Sequence, residues 1–330
     1  MDWSKILIDA GRAAIGVPAA AYAISAMGLN LQFGYTGLLN FGHVGSMLVG
    51  AYGLAITVDR GGPFWLGIIV GIIFALILGL LLGIPTLRLR ADYLAIVTIA
   101  AGEILRLTVR SSWAAPVTKG IFGIQRFADD FFDVNPIPAG LYGIGRFRFD
   151  ERTVWVMLLG WGLVAVISLF MWKLIRSPWG RAIRAIREDE DAALSLGKNV
   201  FGYKLQSLMV GGAIGALAGM FLAIDQQNVT PDAYIPLITF YAFTIVILGG
   251  PGTLLGPITG SMIFWFLFEL LDGVMTTLIV DMELPVLSAF DATDVGPIRF
   301  ALFGLGLMWL MVFRPQGIFG SREEMLIDAQ

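Results

Sequence analysis

Apolar runs of about twenty residues, the length an α-helix needs to cross a bilayer, recur along almost the whole chain. Candidate spans cover 13–30, 34–58, 64–84, 92–110, 153–175, 204–225, 234–249, 254–274 and 298–314. Hydrocarbon offers no partner for a peptide group, so runs of this kind must close their hydrogen bonds as helices. The expected fold is all-α: a polytopic transmembrane helical bundle of about 8–10 spans, forming one domain over 1–330. Charged residues make up 14% of the chain, against about a quarter in a soluble domain, which excludes an ordinary soluble enzyme. The stretches 34–58 and 92–110 are polar enough to be broken or partly buried, and several others are short enough to be re-entrant.

Basic residues gather in three places: Arg88 with Arg90, the block from Arg176 to Lys204, and Arg314 with Arg322. All three become cytoplasmic if 111–152, 226–233 and 275–297 are external. The N-terminal side stays open. Nine candidate spans place it outside, whereas a further split segment within 28–58 would place it inside, and Lys5 and Arg12 are balanced by Asp2 and Asp9. The first apolar run lacks a cleavage signature and reads as a span, not a removed leader. Segment 111–152, rich in Gly, Pro and aromatics, reads as an ordered external loop region with short helices.

The densest charge lies in the expected cytoplasmic loop 176–203. Ser177 suits a helix N-cap, Pro178 the first turn and Gly197 the position past a helix end. A single helix would put Arg181, Arg184 and Arg187 early and Glu188 to Asp191 late, against the helix macrodipole. Two short helices, about 178–187 and 189–196, reverse that conflict, so a helix–break–helix pair is predicted. Its apolar positions are Ile183, Ile186, Ala193 and Leu194. That stripe is narrower than a membrane-surface helix requires, and the small residues beside it suit a protein groove.

Other residues each admit two readings. Asn40 and His43 lie one turn apart among Gly34, Gly37, Gly42 and Gly45. They either line a translocation path or gate on unwound backbone, or form a purely structural hydrogen-bonded contact. Glu103 and Arg106, spaced i,i+3, are either a structural ion pair or a gate that opens as the pair rearranges. The pairs Gly67/Gly71, Gly79/Gly83, Gly211/Gly215/Gly219 and Gly256/Gly260 allow close helix packing, inside this bundle or at a dimer seam. There is no Cys and one His, so no thiol chemistry and no His-based metal cluster is expected. Neither a catalytic constellation nor a G-x-x-x-x-G-K-[ST] phosphate loop is present.

Six segments together resemble the branched-chain amino-acid permease family of the LivM type. They are Gly34-Tyr-Thr-Gly-Leu-Leu-Asn-Phe-Gly-His43, Leu87-Arg-Leu-Arg-Ala-Asp-Tyr-Leu-Ala-Ile-Val-Thr98, Gly102-Glu-Ile-Leu-Arg106, the stretch 180–204, Leu248-Gly-Gly-Pro-Gly252 and Phe313-Arg-Pro-Gln-Gly-Ile318. Within the fourth, Glu190-Asp-Ala-Ala-x-x-x-Gly197 resembles the motif through which such permeases couple to ATP-binding-cassette ATPases. The resemblance implies a multi-pass permease of a bacterial or archaeal inner membrane. Its implied partners are a homologous LivH-type permease, two ATPases, an external solute-binding protein and membrane lipid, with no nucleic acid. No cofactor is expected in this chain; ATP and magnesium belong to the ATPases. Ala192, Ala193 and Gly197 would give close fit to the ATPase, and Arg184, Arg187, Glu188 and Glu190 polar grip. Urea, short amides or other amino acids remain alternative cargoes, and an ion-coupled secondary transporter is the competing class.

Overall fold

The computed structural model describes residues 3–88, 91–281, 295–314 and 316–320. Arg90, Arg322 and most of the expected external stretch 275–297 lie outside the described residues. The long helices are α1 (Trp3–Ile15), α2 (Val17–Asn30), α3 (His43–Asp59), α4 (Phe64–Thr86), α5 (Ala91–Arg110), α8 (Glu151–Arg176), α11 (Val200–Gln226), α12 (Leu237–Gly249), α13 (Gly256–Thr276) and α14 (Val295–Phe313). Between them lie α6 (Ala115–Thr118), α7 (Asp129–Asp133), α9 (Pro178–Glu188) and α10 (Glu190–Ser195). Two small antiparallel ribbons complete the described fold. β1 (Ile124–Gln125) pairs with β4 (Asn228–Val229), and β2 (Leu141–Ile144) forms a hairpin with β3 (Phe147–Asp150).

Two faces organise the bundle: an arginine face carrying α9 and α10, and a hairpin face carrying β2 and β3. Contacts at the helix ends show how the chain moves between them. The α4 start packs at the hairpin face, where Phe64 stacks on Phe131, and its end meets Ile186 and Arg187 around one cavity. Helix α5 returns, with Leu94 at that cavity and Arg106 bonded to Asp232 in the turn before α12. Helix α14 also connects the faces: Arg299 pairs with Asp272, while Ile318 N–H donates to the Leu248 carbonyl at 3.0 Å.

Among the described residues, five spans are long and apolar enough to cross a membrane alone, and α1 with α2 and the turn after it adds a sixth, bent by 42°. Helices α3 and α5 fall short for the reasons their sequences foretold: α3 starts only at His43 after unwound backbone, and α5 is polar. Both still run from face to face. The break within 28–58 adds no extra crossing. Thr36 and Gly37 lie beside Arg187 on the arginine face, and Asp59 pairs with Lys119 of the 111–152 region at 2.7 Å. Helix α1 therefore lies on the hairpin side, where Arg12 donates to the carbonyls of Arg146 and Arg148 at 2.8 and 2.6 Å.

Helix α11 is the hub, packed on α2, α3 and α4. Lipid cannot drive helices together as water does, so close backbone approach must supply the attraction. A Cβ on Gly219 would stand 2.1 Å from the Met47 carbonyl oxygen, and one on Gly260 2.3 Å from that of Ile245. The small-residue stripes are consumed by packing inside this chain, which resolves the alternative of a dimer seam for those faces. The outward faces of α4 and α8 remain apolar and exposed, for example at Leu81, Leu158 and Val166, as lipid-facing surfaces should be.

Candidate functional site

The helix pair in the 176–203 loop forms with the predicted break. Ser177 caps α9 by accepting from Gly180 N–H at 3.3 Å. Asp189 has extended backbone (φ −151°, ψ 105°) and caps α10, accepting from Ala192 N–H at 2.9 Å. Arg187 lies in the last turn of α9, which ends one residue later at Glu188, and Glu190 and Asp191 open α10, so α10 fully and α9 through Arg187 match the macrodipole. Ile183, Ile186 and Ala193 are buried against the bundle.

The polar residues expected to grip a partner are mostly engaged within the chain. Arg184 donates to the Ile175 carbonyl at 2.8 Å. Arg187 donates to the Gly34 carbonyl, and Glu190 pairs with Lys204. Ala193 faces inward, whereas Ala192, Glu188 and Gly197 are exposed. The pair also exposes two large apolar side chains, Leu194 at 51% and Leu196 at 80%. Leu196 escaped the sequence reading because it lies past the helix, off the periodic stripe.

Opposite Arg187 lies the broken part of the bundle. Helix α2 ends in a π turn, Leu31–Tyr35, and the chain stays unwound until α3. Gly37 sits at φ +74°, a conformation side-chain-bearing residues rarely adopt. Unwound backbone inside a membrane needs substitutes for helical hydrogen bonds, and this stretch has them. Gly37 N–H donates to Phe33 O at 3.0 Å and Leu38 N–H to Gln32 O at 2.8 Å. Side chains supply the rest: Phe41 N–H to Thr98 Oγ1 at 3.1 Å, Gly42 N–H to Asn40 Oδ1 at 3.0 Å, and Val44 N–H to Thr239 Oγ1 at 3.0 Å.

Asn40 and His43 are both buried at the break, in separate hydrogen-bond sets whose partners periodicity could not reveal. Asn40 Nδ2 donates to Gln32 Oε1 at 3.0 Å, and Gln32 Nε2 to the Leu208 carbonyl at 3.0 Å. His43, fully buried, places Nε2 3.1 Å from the Ser25 carbonyl; a carbonyl only accepts, so Nε2 carries the proton. Asn30 clamps the next turn, donating to Thr253 O at 2.8 Å and accepting from Gly252 N–H at 2.9 Å. The signal for Asn30 and Gln32 was present as amides inside an apolar run; their partners, up to 223 residues away, were not.

Glu103 and Arg106 sit apart from this network. The Arg106 guanidinium binds Glu103 in a two-pronged pair, at 2.9 and 2.5 Å, and reaches Asp232 at 2.8 Å. The site is therefore a clasp between α5 and the turn before α12 at the hairpin face. Among the described residues, no cluster of three or more His, Cys, Asp or Glu side chains gathers as a metal site would need.

A helical bundle broken between its second and third helices, with the break tied to a capped helix pair on one face, is the architecture of a multi-pass membrane transport protein of the permease class. The chain belongs to the family described as branched-chain amino acid transport system / permease component, whose model matches residues 12–293. It is 30% identical to the LivM permease protein of the high-affinity branched-chain amino acid transport system of Escherichia coli K12, covering 94% of this chain and 71% of the relative. A probable LivM of Methanocaldococcus jannaschii is 26% identical over 91% of both chains. The nucleoside ABC transporter permease NupC of Lactococcus lactis is 24% identical, over 82% of this chain and 83% of its own length.

Proposed function

We propose that this chain is the transmembrane permease subunit of an ATP-binding-cassette importer for branched-chain amino acids in a prokaryotic inner membrane. A homologous LivH-type permease, two ATPases and an external solute-binding protein complete it. The relatives named LivM support the cargo. The arginine-rich face is the cytoplasmic one, since Lys and Arg accumulate inside. The observation that carries the mechanism is the bond from Arg187 on α9 to the Gly34 carbonyl in the broken helix. An ATPase seated on the exposed edge of α9 and α10, at Ala192, Leu194, Leu196 and Gly197, would move α9. Arg187 passes that movement to the π turn. Asn30 then displaces the 250–253 turn, and the buried polar side chains Gln32, Asn40 and His43 act as the hinge of the gate. Glu103, Arg106 and Asp232 form its outer clasp.

Gly197 tests the docking surface. It is exposed at φ +75°, and a Cβ there meets nothing within 4 Å. Gly197→Arg therefore costs the chain itself only about 1 kcal/mol of backbone strain, while planting a long cation in any partner groove. The expected result is normal insertion, loss of co-purifying ATPase and loss of leucine uptake. Wild-type uptake by Gly197→Arg would remove the docking assignment; uptake of nucleosides but not leucine by the unmodified protein would correct the cargo alone.

A further inference from the structure

On the arginine face a cavity of about 420 Å³ opens between the unwound stretch Thr36–Leu38, the end of α4 and the α9–α10 pair. Three cations from three separate parts of the chain line it: Arg88, Arg187 and Lys204. Among the described residues the one carboxylate lining it, Glu190, is held by Lys204, which leaves an excess of positive charge among them. Arg187 commits one nitrogen to Gly34, from a guanidinium fork with five N–H donors. Arg88 is exposed at the lip and has no ion-pair partner among the described residues. The remaining wall is apolar, with Leu38 and Leu94 buried in a cluster that includes Leu208.

Within one turn of Leu94 on α5, Tyr93, Ile96 and Val97 are 61%, 65% and 38% exposed. A cationic pocket at the membrane boundary, with an exposed apolar strip leading away from it, matches a molecule with an anionic head and apolar tails. A protein partner on the exposed edge of α9 and α10 would approach from the side of Leu194 and Leu196. The cavity instead lies where Ile186, on the buried side of α9, faces the bundle.

We propose that Arg88, Arg187 and Lys204 form a binding site for a phosphate anion, carried by the headgroup of an anionic phospholipid whose acyl chains lie along α5. This site is independent of the transport reading: it depends only on the cavity, its charge and its apolar exit. Because the site adjoins both the unwound stretch Thr36–Leu38 and α9, an occupant would brace the joint through Arg187.

The test is thermal unfolding of the delipidated full-length chain in dodecyl maltoside, followed by tryptophan fluorescence. Short-chain phosphatidylglycerol, short-chain phosphatidylcholine and inorganic phosphate are titrated at matched ionic strength. A ligand that binds only the folded form raises the midpoint. Phosphatidylglycerol is expected to raise it and phosphatidylcholine to leave it unchanged. Arg88→Gln should lose most of the shift, Arg88→Lys should keep it, and Arg181→Gln, on the same helix pair but outside the cavity, should match wild type. An Arg88-dependent shift with inorganic phosphate equal to that with phosphatidylglycerol supports the anion site and makes the free anion its ligand. Equal shifts with both lipids, or the same phosphatidylglycerol shift in Arg88→Gln and wild type, overturn the proposal. So does an Arg88→Gln defect confined to co-purification of a partner protein, which would make the cavity a protein contact.

Discussion

Replacing Gly215 by Ala tests the centre of the polar break, because two opposing effects of known size meet there. In a helix interior Ala is favoured over Gly by about 1 kcal/mol. Against that gain, a Cβ on Gly215 would stand 2.6 Å from Cε1 and 2.8 Å from Nε2 of His43. The ring is fully buried, so it has little room to retreat. Overpacking of this kind costs about 1–3 kcal/mol. A displaced ring would also forfeit its bond to Ser25 O, worth about 0.5–1.5 kcal/mol. The clash wins, and Gly215→Ala should destabilise by about 1–3 kcal/mol. Gly162→Ala on α8 is the control: a Cβ there meets nothing within 4 Å, so only the propensity gain remains. Unfolding midpoints in detergent should rank Gly162→Ala at or above wild type and Gly215→Ala below it. Adding His43→Ala to Gly215→Ala should recover part of the loss, the non-additivity that a direct contact produces. Equal midpoints for Gly215→Ala and Gly162→Ala, or strict additivity with His43→Ala, would refute the contact and the account of the break built on it.

Asn30→Asp keeps an acceptor for Gly252 N–H but sets an anionic oxygen against the Thr253 carbonyl in a buried position. It should cost about 2–3 kcal/mol, seen as a lowered unfolding midpoint; a wild-type midpoint would mean the clamp is not formed. Arg187→Ala should lower stability by only about 1–2 kcal/mol, the cost of one unpartnered carbonyl. Leucine uptake should fall far more steeply while ATPase still co-purifies, and a parallel loss of both would make Arg187 a docking residue instead of a link.

Much of the architecture was legible because its causes are local. Apolar run length marks a span whatever its neighbours are, so from 64 onward the long helices lie close to the expected boundaries, whereas α1 was not expected and α3 starts nine residues later than the run 34–58. The order of arginines and acids in 178–196 foretold two helices, because the macrodipole acts within one turn. Ser177 and Asp189 then cap them through bonds to residues three positions on. The unwound stretch before His43 was foreshadowed by its glycines.

The fate of each arginine was not legible, because it depends on residues distant in sequence. Arg184 and Arg187 read equally well as partner contacts until the structure placed them on the carbonyls of Ile175 and Gly34. Glycine stripes likewise state that something approaches closely without saying what; only the packing of α11 on α2, α3 and α4 showed that this chain supplies it. The N-terminal side, which the local charge count had left balanced, followed from Arg12 reaching backbone carbonyls of the β2–β3 hairpin. Sequence alone determined that this chain is a helical membrane protein with a capped helix pair between two spans, since length, periodicity and dipole are properties of contiguous residues. The tertiary structure decided which polar groups are spent inside the bundle and which remain outside, because a buried donor is satisfied by whatever acceptor the fold brings to it, at any distance along the chain.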